Sequence, residues 1–494
     1  MSNTQINKTH DQLIDHQGLI YSISNEDKTS KVIGCKSKGE VFIPRSINYA
    51  SQEYIITCIS DNAFYDLTGI FSIQFATDSA LQTIKKKAFY NTAIENITLP
   101  SSLIYIGELS FAYCKKLHHI EILEDSKLQT IEKSAFFYSS IEFISIPSNI
   151  LNLKEGWCYN TPNLNKITVI PNNLYFRSYD DKYILKKSSI DIDTNDIFVF
   201  AVRNIENITI PESIKIIDSY SFDECNRLQQ VQIPINSKLE IIGKYSFSHS
   251  SINSIMIPSN VIKICENSFY KCLNFKQIYI PIDSRLQTIE NYAFYESAIE
   301  KIVIPPSVTS IGNAAFMSCK NLKIIDIPSN SKLLKIGVNS FCGSSIEQIN
   351  IPSCVSSIGS FAFQECKKLQ KIEIPENTEL KVIESYLFYI SSIKSFNLPS
   401  GIERIKCYAF GNCIQLKHIE IPKNSKLQII EKYSFEDTLI DSFIIPSSVT
   451  EIGCGVFNFC RNLKIIVVKN PYLKTMNWID ICQNSNPIIM ISHG

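Results

Sequence analysis

A recurring aromatic position organises most of this 494-residue chain. A phenylalanine, usually preceded by Ala or Ser, returns at steps that alternate between 25 and 22 residues, so the full unit is a pair of segments totalling 47 residues. A fixed period of about 20–50 residues is the signature of an array in which neighbouring repeats share one core. The positions are Phe64, Phe89, Phe111, Phe136, a degraded copy at Trp157, then Phe222, Phe247, Phe269, Phe294, Phe316, Phe341, Phe363, Phe388, Phe410, Phe435 and Phe457.

Each segment predicts one strand followed by a turn. The pattern L/I-x-x-I-x-I-P, as in Ile346, Ile349, Ile351 and Pro352, alternates with period two at its end, which is typical of a strand with one inward face. Proline ends the strand because it has no N–H for the ladder. A segment this short cannot bury its own apolar face, so we expect the segments to stack as coils about 4.8 Å apart with their strands in one parallel sheet.

The two kinds of coil differ at the position three residues after the phenylalanine. One kind has Cys there and the other has Ser or Thr, together with a turn of the form Asn/Asp-Ser-Lys-Leu that is two residues longer. Ser, Asn and Asp in such a turn can bond their own backbone. The cysteines of this position are Cys114, Cys225, Cys272, Cys319, Cys366, Cys413 and Cys460.

This cysteine series could suggest disulfides or a metal site, but its spacing argues against both. Successive members lie two coils apart, which is about 10 Å, whereas the Cα atoms of a disulfide lie within about 7 Å. The 16 cysteines contain no Cys-x-x-Cys pair, which leaves zinc with little support. We therefore interpret these residues as small buried side chains, a common role of free cysteine.

The repeat resembles a known family. The segments IPSSVTEIGCGVFNFCRNL (445–463) and IPSCVSSIGSFAFQECKKL (351–369) are similar to the BspA-like leucine-rich repeat, type 5, over about residues 54–170 and 205–468. The resemblance implies a β-rich, curved, right-handed solenoid of 22- and 25-residue coils with a parallel sheet on its concave face. Members are mostly surface proteins of mucosal microbes and anaerobic protists, and several are implicated in adhesion. It therefore implies a non-enzymatic surface antigen or adhesin whose ligand is a protein, such as a host or extracellular-matrix protein.

The pattern divides the chain into six parts. We expect a disordered N-terminus over 1–17, an N-terminal β cap over 18–50 built from Ile20–Ile23, Lys31–Cys35 and Val41–Pro44, repeats over 51–170, an irregular island insertion over 171–205, repeats over 206–468 and a C-terminal cap over 469–494. In the island, Tyr183–Lys186 and Phe198–Val202 could pair as a hairpin. Insertions in repeat arrays often lie on a binding face, while a tolerated surface loop is the alternative.

The x positions of the strand pattern should face solvent. Acidic residues such as Glu300 and Glu347 alternate with basic ones such as Lys276 and Lys323 on neighbouring coils, which is either a polar recognition surface or a self-neutralised ladder. Apolar side chains at these positions are exceptions that could form a contact patch. The candidates for partner binding are Phe143, Met256, Tyr279, Val303 and Ile324 on the strands, with Tyr175, Phe176, Arg177 and Tyr179 in the island; Ile444, Ile465 and Val467 are further apolar exceptions.

Composition excludes several other functions. Lys+Arg and Asp+Glu both number 48, and a chain without a basic surplus is a poor general binder of nucleic acid. No apolar run is long enough to span a bilayer, and no signal peptide is recognisable. No phosphate loop, zinc or nucleophile motif is present, so we expect no cofactor, metal or catalytic residue; a hydrolase or ligase hidden in the island or the C-terminal cap is the enzymatic alternative.

Two locations remain open at this stage. The family resemblance implies the cell surface, whereas the many free thiols and the lack of an export signal favour an intracellular scaffold in a reducing compartment. The sequence leaves the oligomeric state open.

Overall fold

The computed structural model describes residues 12–491 and confirms a β-solenoid of stacked coils. The chain divides into two units: residues 1–205 with 218–226, and residues 206–217 with 227–494. In each unit, the predicted strands of the L/I-x-x-I-x-I pattern pair in parallel, in one sheet in the first unit and in three sheets in the second, and these strands are here called the long-strand sheet. The apolar pair that precedes the phenylalanine forms two-residue strands that also pair in parallel, here called the short-strand sheet, which the sequence did not predict. In the first unit, longer strands near the start of the chain extend this sheet.

The first unit contains strands β1 to β18. Its long-strand sheet has the order β15-β13-β11-β9-β7-β4, and its short-strand sheet has the order β1-β2-β3-β6-β8-β10-β12-β14, with β5 on β6. The strands are β1 Gln12–His16, β2 Leu19–Ser24, β3 Thr29–Cys35, β4 Gly39–Ile43, β5 Ser46–Tyr49, β6 Gln52–Ile59, β7 Ile70–Phe75, β8 Thr83–Ile84, β9 Asn96–Leu99, β10 Tyr105–Ile106, β11 His119–Ile122, β12 Thr130–Ile131, β13 Phe143–Ile146, β14 Asn152–Leu153, β15 Lys166–Val169, β16 Phe176–Tyr179, β17 Tyr183–Lys186 and β18 Ile197–Ala201.

The start of the chain corrects one expectation. The disorder predicted over 1–17 is wrong for residues 12–16, because β1 pairs antiparallel with β2 from Gln12↔Ile23 to His16↔Leu19; residues 1–11 lie outside the described part. The three strand-like runs of the predicted β cap are confirmed as β2, β3 and β4. β2 and β3 pair antiparallel, and β3 then continues in parallel pairing with β6, so these strands join the short-strand sheet.

The island is ordered rather than irregular. The predicted hairpin is confirmed, since β17 pairs antiparallel with β18, and β16 adds a third antiparallel strand. Phe198 in β18 is fully buried and stacks on Phe222 at 4.6 Å and on Tyr183 at 5.4 Å. Strand β18 therefore belongs to the core. The residues that the island adds to a normal coil lie between β15 and β18.

The second unit contains strands β19 to β42 and two short helices. Its long-strand sheets are β19-β21-β23-β25-β27-β29-β31-β33, β35-β37 and β39-β41-β42, and β34-β36-β38-β40 is one of its short-strand sheets. The elements are β19 Asn207–Thr209, β20 Ile216–Ile217, β21 Gln230–Gln232, β22 Ile241–Ile242, β23 Ser254–Met256, β24 Lys263–Ile264, β25 Gln277–Tyr279, β26 Thr288–Ile289, β27 Lys301–Val303, β28 Ser310–Ile311, β29 Ile324–Asp326, β30 Lys335–Ile336, β31 Gln348–Asn350, β32 Ser357–Ile358, β33 Lys371–Glu373, β34 Val382–Ile383, β35 Ser395–Asn397, β36 Arg404–Ile405, β37 His418–Glu420, β38 Ile429–Ile430, β39 Ser442–Ile445, β40 Glu451–Ile452, β41 Ile465–Val468, a 3₁₀ helix Pro471–Thr475, α1 Trp478–Ile481 and β42 Ile488–Ile491.

The repeating phenylalanines form the core between the two sheets. Phe269, Phe294 and Phe316 are fully buried. Their ring centroids are 5.2 and 5.1 Å apart and the rings are nearly parallel. Aromatic rings at this separation attract one another beyond the area they bury. Each of these rings therefore contacts the rings of the coils before and after it, so the core is shared between neighbouring coils.

The longer turn is found in the coils that have Ser or Thr three residues after the phenylalanine. The structure confirms that a side chain in this turn hydrogen-bonds to the backbone. In Ser284, for example, the hydroxyl accepts a hydrogen bond of 3.2 Å from the N–H of the buried Leu286. The same bond recurs at Ser126, Ser237, Ser331 and Ser425, and at Thr378 with a threonine hydroxyl. The hydroxyl fixes a backbone N–H that the buried turn would otherwise leave unpaired.

Candidate functional site

Three predicted partner-binding residues form a row on the long-strand sheet of the second unit. Met256 of β23 lies directly opposite Tyr279 of β25. The pairing of Gln277 with Lys301 places Val303 of β27 at the same height as Tyr279. Met256 and Tyr279 are 55% and 59% exposed, and Val303 is half-buried. A contiguous apolar surface of this kind on a sheet is a candidate interaction surface.

Ile324, the fourth candidate on the strands, lies on the next strand but is displaced from this row towards the strand starts. Ile324 of β29 pairs with Lys301, so it lies two residues closer to the strand start than Asp326, which pairs with Val303. Ile324 is 51% exposed. Met256, Tyr279, Val303 and Ile324 thus occupy four consecutive strands and are together called the apolar patch.

Exposed lysines border the apolar patch on the side of the strand starts. Lys301 lies beside Gln277 and Ile324 on neighbouring strands. Lys276 and Lys323 precede their strands and are linked through Glu300, whose N–H donates to the Lys276 carbonyl at 3.1 Å and whose carbonyl accepts from the Lys323 N–H at 3.0 Å. Within residues 12–491, none of the three lysines has a carboxylate oxygen within 4.0 Å. Glu300 is itself exposed between Lys276 and Lys323, so the row beside the patch carries three lysines and one glutamate and keeps a positive charge.

The fifth strand residue, Phe143, belongs to the first unit and is a separate feature. It is half-buried on β13, and its ring lies 4.8 Å from the imidazole of His119. Next to it, His118 Nδ1 lies 3.2 Å from the Glu142 carboxylate. These two residues belong to the predicted row of alternating charge, and both are more than half exposed.

The island residues do not form one surface. Phe176 was predicted to bind a partner and this is wrong, because its ring is fully buried beneath the Lys186 side chain. Tyr179 is 39% exposed and stacks on Tyr183 at 5.3 Å. Arg177 is exposed, and its guanidinium donates to the Phe176 carbonyl at 2.8 Å and to the Asn173 carbonyl. Tyr175 is half-buried. Phe176 and Tyr179 thus contact β17, whereas the hydrogen bonds of Arg177 are to its own segment.

A second apolar cluster lies on the last three strands of the second unit. Ile444, Val467 and Met490 are in register across β39, β41 and β42, and Ile465 and Ile488 form the row beside them. The sequence singled out Ile444, Ile465 and Val467 but missed Ile488 and Met490. The repeat motif fades after Phe457, and only the short continuous apolar run Ile488–Ile491 could have indicated a further strand.

The seven cysteines of the repeated position are buried, in agreement with their interpretation as small buried side chains. All 16 cysteines are free, and the thiol of Cys319 donates to the Phe294 carbonyl of the preceding coil at 3.0 Å and contacts the Ser297 hydroxyl at 3.5 Å. The same pair of contacts recurs at Cys114, Cys366, Cys413 and Cys460, with Thr92 or Thr438 in place of serine at the two ends. The alternation of Cys with Ser or Thr thus satisfies one carbonyl per pair of coils.

The described residues contain no candidate metal-ligand cluster and no candidate membrane-spanning helix. No group of three or more His, Cys, Asp or Glu side chains in residues 12–491 is arranged to hold a metal ion. Nor does any helix of that range combine the length and apolar character that a bilayer crossing requires.

The comparison with protein families identifies the repeat. A model of the BspA type leucine rich repeat region matches in six copies over residues 38–179, 195–323, 287–381 and 381–479. This chain belongs to the BspA-type leucine-rich repeat family. No curated protein shows significant sequence similarity to it.

Solved structures of other leucine-rich repeat proteins are similar to this BspA-type chain. The pneumococcal vaccine antigen PcpA is 18% identical with a TM-score of 0.50, over 98% of this chain and 99% of that one. A leucine-rich repeat protein from Bacteroides ovatus is 20% identical with a TM-score of 0.47, over 97% and 99%. One from Eubacterium ventriosum is 19% identical with a TM-score of 0.44, over 89% and 96%.

The thiols of this BspA-type chain are expected to differ sharply in reactivity. Burial raises the pKa of Cys319, Cys366 and Cys413 to about 12, and the thiolate is the reactive form. Cys454 is exposed, whereas Cys35, Cys354 and Cys407 are half-buried and the other cysteines are buried. A thiol reagent at pH 8 should therefore modify Cys454 first and the buried series only on unfolding, as mass spectrometry of the labelled peptides would show. Fast labelling of Cys319 in the native protein would contradict this burial.

Proposed function

We propose that this chain is a non-enzymatic protein-binding solenoid and that the apolar patch is its main contact surface. The observation that carries the proposal is the contiguity of Met256, Tyr279, Val303 and Ile324 on four neighbouring strands. A sheet fixes these side chains at low entropic cost, and large side chains such as Tyr and Met are enriched at protein interfaces. The rest of the long-strand sheet in this unit carries mainly polar and charged side chains up to β37, for example Asn350, Glu373 and Glu420.

We further propose a surface role, as an antigen or adhesin that contacts a host or extracellular-matrix protein. This rests on membership in the BspA-type family, and on the surface location that the resemblance implies. PcpA, which shares the fold, is a pneumococcal vaccine antigen. Antibody labelling of intact, non-permeabilised cells should then detect the protein. Signal only after permeabilisation would contradict the surface role.

One observation favours an intracellular scaffold as the second candidate. All 16 cysteines are free thiols, which suits a reducing compartment better than an oxidising one. Under this alternative, the apolar patch would bind an intracellular protein. Cell fractionation separates the two candidates, because the scaffold is expected in the cytosolic fraction and the adhesin at the surface.

Replacing the patch should abolish partner binding without unfolding the chain. The variant Met256→Ser/Tyr279→Ser/Val303→Ser removes the three side chains of the row, whereas Asn350→Ser/Glu373→Ser/Asn397→Ser makes matched changes further along the same kind of sheet. Captured partners are identified by mass spectrometry, and their affinity for the full chain is then measured by calorimetry. We expect a loss of at least about tenfold in the patch variant only, because interface energy concentrates in a few large side chains. An equal loss in both variants, or none in the first, would overturn the assignment of this surface.

A further inference from the structure

Lys276, Lys301 and Lys323 beside the apolar patch, here called the lysine border, indicate which kind of protein segment would bind there. This inference deepens the proposed function and rests on it. Lys276, Lys301 and Lys323 are exposed, and they lie on one side of the line formed by Met256, Tyr279, Val303 and Ile324. Since their charges have no carboxylate partner within 4.0 Å in the described chain, a ligand that supplies carboxylates there gains ion pairs without breaking existing ones. Two acids lie close by: Glu300 is exposed between Lys276 and Lys323, and Asp326 continues the row of Met256, Tyr279 and Val303 on the next strand; the three lysines still leave this side of the patch with a net positive charge.

The spacing of the coils favours a helix over an extended strand as the ligand. Two coils separate Met256 from Val303, which is about 9.6 Å. One heptad of an α-helix rises about 10.5 Å, so apolar residues seven apart on a helix along the stack would meet both side chains. Same-face residues of an extended chain recur about every 6.7 Å, which falls between the coils. A helix also presents its apolar stripe and one charged border at the same time.

We propose that the apolar patch binds an amphipathic helix whose apolar stripe is bordered by carboxylates. The stripe packs on Tyr279 and its neighbours, and the glutamates or aspartates on one border pair with Lys276, Lys301 and Lys323. Charge pairing at the rim of an interface mainly sets partner choice and association rate and weakens with salt. The patch therefore selects acidic helices over basic ones of equal apolar content.

Two synthetic peptides test this selectivity on the full chain. One is a helix of about 18 residues with leucines in a heptad stripe and glutamates along one border, and the other has lysine in place of each glutamate. Fluorescence anisotropy should show the acidic peptide binding at least about tenfold tighter, with the difference shrinking as salt is raised. Equal binding of the two, preference for the basic peptide, or binding of neither would overturn the proposal.

Charge reversal on the protein supplies the matched control. The variant Lys276→Glu/Lys301→Glu/Lys323→Glu is expected to reverse the preference towards the basic peptide. The variant Lys320→Glu/Lys332→Glu/Lys335→Glu changes the net charge equally at exposed positions outside the lysine border and should leave the preference unchanged. A reversal in both variants would mean that net charge, and not this border, selects the peptide, which overturns the proposal. If neither peptide binds but the patch variant still loses its captured protein, the helix proposal fails while the proposed function stands.

Discussion

Replacing Phe294 with alanine is expected to lower the free energy of unfolding by about 3–5 kcal/mol, the usual cost of removing a buried aromatic ring. The ring is fully buried and lies between Phe269 and Phe316 at 5.2 and 5.1 Å. The change leaves a cavity in the ring stack and removes contacts on both sides. Because each coil is stabilised by its neighbours, the loss should spread to adjacent coils of the second unit.

Urea unfolding followed by circular dichroism measures this effect. The matched control is Leu273→Ala, since Leu273 is an apolar side chain near the same coil that is 68% exposed. Surface changes of this kind usually alter stability by less than about 0.5 kcal/mol. If the Phe294 and Leu273 variants unfolded at the same urea concentration, the ring stack would not be the core of the solenoid.

Deleting residues 174–205 is expected to unfold the first unit rather than trim a surface loop. The deletion removes β18, in which Phe198 and Phe200 are buried. It also removes Arg203, which is 3% exposed and donates to the Cys158 carbonyl at 3.3 Å and to the Ala201 carbonyl at 3.4 Å. The free-energy cost of removing several buried side chains together exceeds the free energy of unfolding of a typical domain, which is about 5–15 kcal/mol.

A shorter deletion in the island is the control. The Asp196 N–H donates to the Lys186 carbonyl at 3.1 Å, which brings the two ends of the 188–195 loop together. Replacing residues 188–195 with Asn-Gly should therefore close β17 onto β18 with a tight turn. Limited proteolysis and circular dichroism should show a folded first unit in this variant only. A folded protein after loss of 174–205 would restore the interpretation of the whole island as a dispensable insertion.

The sequence was sufficient to predict the features that repeat. The 22- and 25-residue steps predicted stacked coils, and the period-two pattern predicted the strands of the long-strand sheet, because both depend on local alternation of apolar residues. The free cysteines and the serine-bonded turns followed from spacing and side-chain chemistry. The four patch residues were recognised one by one as apolar side chains at solvent-facing positions.

The remaining features depend on pairing that no local pattern reveals. The short-strand sheet consists of two-residue strands such as Tyr105–Ile106, which are too short for any periodicity to show. Phe176 belongs to a segment without repeats, so its burial could not be read from register. That Met256, Tyr279 and Val303 are neighbours could be recognised only from the strand register. The repeat pattern suggested this register but did not determine it.

The central claim is that the coils are equivalent units sharing one stack, and an in-register deletion tests it most directly. Removing residues 342–388 takes out one 47-residue period and joins Phe341 to Tyr389, whereas removing residues 342–377 leaves a partial period. We expect the first variant to keep its β-sheet circular dichroism, to unfold cooperatively and to bind the partner of the apolar patch, and the second to lose all three. Failure of both deletions to fold would contradict the account.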